Sequence, residues 1–310
     1  MGQEPLVTIV TPCLNAAPFI ARTVESVLKQ DYPHVEYIVM DGGSTDGTVE
    51  ILQAWRDRLE CVSAPDGGAA DAINRGFLRS RGTIFGWLNA DDTLQPGAIG
   101  AAVRALAAAP GAAVVYGQGV WTDAGDKVLG AYPTVSPYDA AHWERECFIC
   151  QPAAFMARSA FEAVGMLDAG LHSAFDYDLW IRLSRANRFV AIPQVLAASR
   201  MHPGNKSLGQ RRQVFEESIR VLQRHFGFVP VSWVYGYLSY LRDGRDQYFQ
   251  PLRHSALTYL ASLPVGSWYN YRRVWRYWRE WASNLTARNL KRISADRNAP
   301  IVQDSRNTGA

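Results

Sequence analysis

Ile84-Phe85-Gly86-Trp87-Leu88-Asn89-Ala90-Asp91-Asp92 runs from an unbroken apolar stretch straight into two adjacent carboxylates. The first five residues read as a short buried strand. A strand that ends this way sets both acids at the mouth of a sheet, and in open α/β sheets that edge is where ligands bind. Neighbouring carboxylates repel each other unless a cation lies between them. Oxygen donors select a hard ion such as Mg²⁺ or Mn²⁺, and such ions usually hold substrate phosphates as well. The stretch therefore points to an enzyme for a phosphorylated, nucleotide-linked substrate. The plainer reading of the same residues is a polar strand-to-turn junction.

The segments around it alternate. Val7 to Thr11 is β-branched and reads as a strand, Phe19 to Leu28 has helical spacing, and Glu36 to Met40 is a second strand ending at Asp41. Gly42 to Gly47 is a turn, Thr48 to Trp55 a helix, Leu59 to Ser63 a strand, Ala69 to Leu78 a helix, and Pro96 to Ala108 a helix with proline in its first turn. This alternation predicts a doubly wound, mostly parallel sheet flanked by helices. Asp41 and the Asp91-Asp92 pair both fall at its ligand-binding edge. Further on, Val114 to Trp121 and Lys127 to Tyr132 form a hairpin around Asp123-Ala124-Gly125-Asp126. Residues 133–151 read as a long irregular loop, which marks function or disorder. Helices are expected over Asp176 to Ala186 and Gln210 to Phe226, with strands at Arg188 to Ala191 and Val195 to Arg200.

A chain of 310 residues with 48% hydrophobic content has ample material for a core. Met1 to Pro5 lacks a basic start and Leu6 to Val10 is too short for a signal segment, so a cytoplasmic location is expected. Without a run of 18 apolar residues a membrane span is not expected. The four cysteines do not suggest a disulfide framework, and Cys147-Phe148-Ile149-Cys150 has no second CxxC or paired histidine nearby to make a zinc site. From residue 226 onward there are 12 Lys+Arg against 5 Asp+Glu, a charge of +7, which leaves −4 for the rest. There Tyr271, Val274, Trp275, Trp278, Trp281 and Leu285 fall on one helical face, with Arg272, Arg273, Arg276 and Arg279 opposite. Such a helix either lies at an anionic membrane surface, through residues 268–292, or packs its tryptophans on its own domain. The expected organisation is a catalytic domain over 1–226, a helical extension over 227–295 and a disordered tail over 296–310. Within the first, one half runs to about residue 116 and the other covers 117–226.

Four motifs stand in order, the opening stretch being the last: Thr11-Pro12-Cys13-Leu14-Asn15, Met40-Asp41-Gly42-Gly43-Ser44-Thr45-Asp46-Gly47-Thr48, Asp66-Gly67-Gly68-Ala69-Ala70-Asp71-Ala72-Ile73-Asn74-Arg75-Gly76, and Trp87-Leu88-Asn89-Ala90-Asp91-Asp92. With Ala174-Phe175-Asp176-Tyr177-Asp178 and Arg200-Met201-His202-Pro203, the chain resembles family 2 glycosyltransferases of the GT-A fold over about residues 6–210. The resemblance implies a nucleotide-sugar site drawn from Thr11, Pro12, Asn15, Asp41, Asp66, Asp71, Asn74 and Asp91. Asp71 reads equally well as a first-turn acid of its helix. The resemblance further implies a divalent metal, Mn²⁺ or Mg²⁺, held by Asp91, Asp92 and His202. The family often has Asp where this chain has Asn89, which leaves open which of the two carboxylates touches the metal. Asp176 corresponds to the general base, with Phe175 in place of the usual Glu and Asp178 as the neighbour most easily mistaken for it. Arg200 and Lys206 are candidate phosphate contacts and Gln151 a candidate acceptor contact. The implied reaction is inverting transfer from a nucleoside-diphosphate sugar, UDP-linked by preference, to a hydroxyl of a saccharide or lipid-linked acceptor in bacterial surface-polysaccharide synthesis. A sugar-phosphate nucleotidyltransferase would need a glycine-rich basic loop after the first strand, and residues 12–17 have neither glycine nor a basic residue. A catalytically silent scaffold of the same fold would have no need of Asp91, Asp92, Asp176 and His202 together.

Overall fold

Val7–Cys13 (β1) is buried at every position. A strand covered on both faces can only sit inside a sheet with helices above and below it. The computed structural model describes residues 4–285, and these divide into two compact units: residues up to Ala140 with Phe148–His202, and Ala141–Cys147 with the chain from Pro203 onward. The expected tail over 296–310 and the last part of the 268–292 segment lie outside the described residues.

In the first unit, β1 is followed by Ile20–Leu28 (α1), Val35–Asp41 (β2), Thr48–Leu52 (α2), Glu60–Ser63 (β3), Ala69–Arg79 (α3), Ile84–Trp87 (β4), Thr93–Leu94 (β5) and Ala98–Ala108 (α4). Then come Ala112–Thr122 (β6), Val128–Ala131 (β7), Ala154–Ala157 (β8), Arg158–Ala163 (α5), Phe175–Ser184 (α6) and Arg188–Arg200 (β9). The sheet runs β3-β2-β1-β4-β8-β6-β9-β5, with β7 paired to β6. The first four strands pair in parallel, and the register sets Cys13, Asp41 and Ser63 level with one another at the carboxyl edge. The second half is mixed. β8 lies antiparallel between β4 and β6, while β6 and β9 run parallel.

Several places in the first unit depart from the sequence reading, the unassigned two-residue β5 among them. β8 and α5 occupy a stretch to which no element was assigned, because Ala154-Phe155-Met156-Ala157 is too short to show a period. The two strands expected at 188–191 and 195–200 are one strand. It passes Pro193 by a bulge opposite Gly117, where the missing N–H needs no partner. A Cβ on Gly117 would lie 2.4 Å from Leu196 Cγ and 2.6 Å from Gln194 O, so only glycine accommodates the bulged strand.

The second unit is helical: Lys206–Gly209 (α7), Arg211–Phe226 (α8), Val231–Asp243 (α9), Ala256–Tyr269 (α10) and Val274–Ser283 (α11). α8 and α9 meet through Phe215, whose ring lies 5.7 Å from that of Tyr237 and 6.1 Å from that of Trp233. Of the tryptophan face expected on α11, only Trp281 turns inward, stacking on Tyr259 at 4.9 Å. Tyr277, which the pattern did not single out, is the fully buried residue of that helix.

Candidate active site

Asp41 sits at the tip of β2 and is 1% exposed. Gly43 N and Ser44 N donate to its Oδ2 at 3.1 and 3.0 Å, Ser63 Oγ donates to the same oxygen at 2.6 Å, and Ser44 Oγ donates to Oδ1 at 2.5 Å. Burial pulls its pKa upward, but these donors outweigh burial and hold the carboxyl below the usual carboxylate range. The loop after β1 is stitched to the same turn. Asn15 Oδ1 accepts from Thr45 N at 3.0 Å, and Asn15 N donates to Ser44 Oγ at 2.7 Å. Asn15 adopts a positive φ of 52°, which asparagine tolerates better than most residues. Thr11 and Pro12 are buried, and the Thr11 hydroxyl lies 3.0 Å from Tyr37 OH.

Beside Asp41 opens a cavity of about 320 Å³, lined among others by Met40, Asp66, Arg75 and Arg79. Asp66 caps the loop below it, accepting from Gly68 N at 2.8 Å. Asp71 accepts from Gly67 N at 2.8 Å and pairs with Arg75 at 3.0 Å, so its carboxylate organises the start of its own helix. Asn74, expected among the nucleotide contacts, commits both ends of its amide to Leu167: Nδ2 donates to Leu167 O at 2.9 Å and Oδ1 accepts from Leu167 N at 3.1 Å. Arg75, which the sequence reading left out of the site, is the residue that reaches the cavity.

The two carboxylates after β4 have separate fates. β5 pairs antiparallel with β9, Thr93 opposite Ala198, and this draws residues 91–94 alongside the end of β9. Asp92 turns inward, 3% exposed, accepting from Arg200 N at 2.8 Å and from Asn89 Nδ2 at 3.1 Å. Burial, and after it the charge of Asp91, push its carboxyl well above the usual range. Asp91 stays partly exposed, and its Oδ2 lies 3.0 Å from His202 Nε2. The expected metal set of Asp91, Asp92 and His202 is therefore not gathered on one point. Among the described residues no three His, Cys, Asp or Glu side chains are placed to hold a metal. Asp91 and His202 alone are a carboxylate oxygen and an imidazole side by side, a donor pair that suits Mn²⁺ when phosphate oxygens complete the shell.

Arg200 is not a phosphate contact in this arrangement. It is 1% exposed, donates from Nε to Asp91 O at 2.7 Å and pairs through Nη1 with Asp126 at 2.5 Å. Asp126, at the tip of the β6–β7 hairpin, also pairs with Arg22. The Phe19 ring lies 4.5 Å from that of His202 and 5.1 Å below the Arg200 guanidinium. Phe19 and Asp126 thus brace the Asp91–His202 pair. In sequence they gave no signal beyond a helix start and a turn. Gln151 is likewise buried behind β4, donating from Nε2 to Trp87 O at 2.8 Å and accepting from Asn89 Nδ2 at 3.2 Å, so it locks the strand exit and does not present itself to an acceptor. Lys206 opens α7 in the second unit.

Asp176 and Asp178 open α6. Asp178 is buried and pairs with Arg182 at 2.7 Å, and Arg182 also donates to Val164 O and Met166 O. Asp176 is partly exposed, with Oδ1 accepting from Tyr177 N at 2.7 Å. The helix start is anchored to β4 by aromatic contact: Trp87 stacks on Trp180 at 5.6 Å and meets Phe175 at 6.4 Å. Phe175 thus holds Asp176 near the carboxyl edge of the sheet.

A family model described as glycosyl transferase family 2 matches residues 8–165. An uncharacterized glycosyltransferase of Rickettsia prowazekii (strain Madrid E) is 27% identical over 208 residues, covering 64% of this chain and 65% of that protein. A chondroitin synthase of Escherichia coli is 28% identical over 262 residues, covering 82% of this chain and 38% of that protein. The chain thus spans less than two thirds of the curated relatives it matches. Among solved structures, S. aureus TarS 1–349 in complex with UDP-GlcNAc superposes with a TM-score of 0.58 at 14% identity, covering 87% of this chain and 82% of that one. The mannosyltransferase PcManGT from Pyrobaculum calidifontis, in complex with GDP-Man and Mn²⁺, gives 0.54 at 19% identity, covering 94% and 79%. At these identities the structural likeness bears on the fold.

Proposed function

The chain belongs to glycosyl transferase family 2, and from that premise we propose that it moves a sugar from a UDP-linked donor to a hydroxyl of a saccharide or lipid-linked acceptor, inverting the anomeric centre. The setting is bacterial surface-polysaccharide synthesis in the cytoplasm or on the inner membrane face. The observation that carries the reading is the Asp91–His202 pair, two residues 111 positions apart that meet beside the sheet's ligand edge. The UDP preference draws on the UDP-GlcNAc complex of TarS.

The base enters the cavity beside Asp41, where Asp66 supplies an acceptor and Arg75 a donor. The diphosphate reaches Asp91 and His202, which would hold a divalent ion between them. When bound, such an ion neutralises charge developing on the leaving diphosphate. Asp92 and Arg200 work behind them: the one fixes the Arg200 backbone, the other the Asp91 backbone. Asp176 takes the proton from the acceptor hydroxyl, whose oxygen attacks the anomeric carbon from the face opposite the nucleotide. Asp178 is committed to Arg182 and is not the base.

The test is a thermal-shift panel of UDP, GDP, dTDP and CMP with and without Mn²⁺. The expected result is a Mn²⁺-dependent shift with UDP that Asp91→Ala abolishes and Asp176→Asn preserves. No shift with any nucleotide would sink the reading in favour of a silent relative of the same fold, and a shift with GDP or dTDP alone would reassign the donor.

A further inference from the structure

α10 is turned inside out. Its buried positions include Thr258, Ser262 and Gly266, small or polar groups satisfied within the second unit. Arg242 Nη1 donates to Thr258 Oγ1 at 2.7 Å, and Tyr277 OH donates to Ser262 O at 2.8 Å. Its exposed positions include Leu257, Leu260, Ala261, Pro264 and Trp268. Their spacing of three, one, three and four places them on one helical face. Leu257 is 80% exposed and Trp268 73% exposed. A helix on a water-facing surface normally has this pattern reversed.

α11 extends the same surface. Trp275 is 73% exposed and meets Trp278 edge-on at 5.0 Å. Trp278 Nε1 donates to Ser267 Oγ at 2.8 Å, which joins the aromatic groups of the two helices. Contiguous exposed apolar surface of this kind marks an interaction site. The charge around it is mostly positive, and the acid on α11, Glu280, is engaged by Val231 N at 3.0 Å. From Gln247 to Arg279 there is no Asp or Glu, and there are five arginines. Of these, Arg276 is paired with Glu144, whereas Arg272 and Arg279 stand exposed beside the aromatic groups.

We propose that this face of α10 and α11 seats the protein on an anionic lipid surface. Tryptophan and tyrosine favour the boundary between headgroups and acyl chains, and arginines beside them gain from anionic headgroups. No described helix is long and apolar enough to cross a membrane, so the contact lies in the plane of the interface. A protein partner or a second copy would be content with the apolar stripe, but neither calls for exposed arginines such as Arg272 and Arg279 beside the tryptophans. The proposal deepens the lipid-linked half of the acceptor reading. Its test uses no donor, metal or acceptor, so each can fail without the other.

The experiment is flotation of the full chain with vesicles of phosphatidylcholine, and of phosphatidylcholine mixed with phosphatidylglycerol, at low and physiological salt. Binding is expected to the mixed vesicles only, and to weaken with salt. Trp268→Ala with Trp275→Ala should weaken partition about tenfold or more. Arg272→Gln with Arg279→Gln should weaken it about fivefold per arginine. All four side chains are exposed, so the melting temperature should stay at the wild-type value, and Leu257→Asn with Leu260→Asn repeats the test should the tryptophan pair fail to fold. Absence of binding to the mixed vesicles, equal binding to both kinds, or indifference to all three pairs of substitutions overturns the proposal. Dimerisation that the tryptophan pair abolishes, without vesicle binding, would give the face to a second copy.

Discussion

Asp41 receives its donors on both oxygens at one strand tip, and an ionised carboxylate is the only side chain of that size able to accept them all. Asp41→Asn turns an N–H₂ toward groups that are themselves donors, and should cost about 2–3 kcal/mol at neutral pH. The folded pKa is depressed below the ordinary 3.8, so the contribution is fully present above that value and is lost as pH falls through the folded pKa. Urea titrations of both proteins should therefore converge only below about pH 4. A gap that persists there would assign the loss to packing. Asp176 and Asp178 make the complementary contrast. Asp176→Asn is expected to lower kcat by about 10²–10⁴ at unchanged stability. Asp178→Ala strands Arg182 and should cost about 3 kcal/mol of stability. Sequence spacing alone could not separate them, since both are first-turn acids. The family motif indicated Asp176, and the structure adds that Asp178 is paired with Arg182. The same limit hid Phe19 and Asp126, whose role depends on contacts far away in sequence, with His202 and with Arg200.

At the scale of elements, α3 does two jobs that the sequence pattern merged into one motif. Its cavity face carries Arg75, while Asn74 clamps Leu167 in the segment leading to α6. Asn74→Ala removes both bonds and leaves a backbone donor and acceptor of Leu167 without their partner. The expected result is faster amide exchange over residues 164–174 and a lower kcat, with UDP affinity unchanged. A selective loss of UDP affinity would instead restore Asn74 to the nucleotide site. The parallel half of the sheet was legible because each of its strands is apolar and is followed by a turn and a helix. The mixed half was not. β8 has four residues and borrows its place from β4 and β6, and β9 hides its continuity behind Pro193. It is β9 that delivers His202 to Asp91, so the least legible strand completes the pair on which the proposed metal site rests.

At the scale of the molecule, composition and contacts divide the chain differently. The basic, aromatic stretch begins near residue 226, yet α8 belongs with the helices that follow it. Phe215, Ile219, Val221 and Leu222 are all buried, and Phe215 packs against Tyr237 and Trp233 of the second unit. The sheet's central core cluster, from Val7 to Ala197, draws on the first unit alone. A chain cut after Phe226 keeps α8 but loses α9, and each buried apolar side chain left open costs about 1.5–3 kcal/mol. A chain cut after His202 removes α8 together with the helices that cover it. The fragment ending at 226 should therefore bind a hydrophobic dye and aggregate, while the fragment ending at 202 should unfold in one cooperative urea transition. If the longer fragment proves the more soluble and cooperative of the two, α8 is held by the sheet and the boundary belongs at 226.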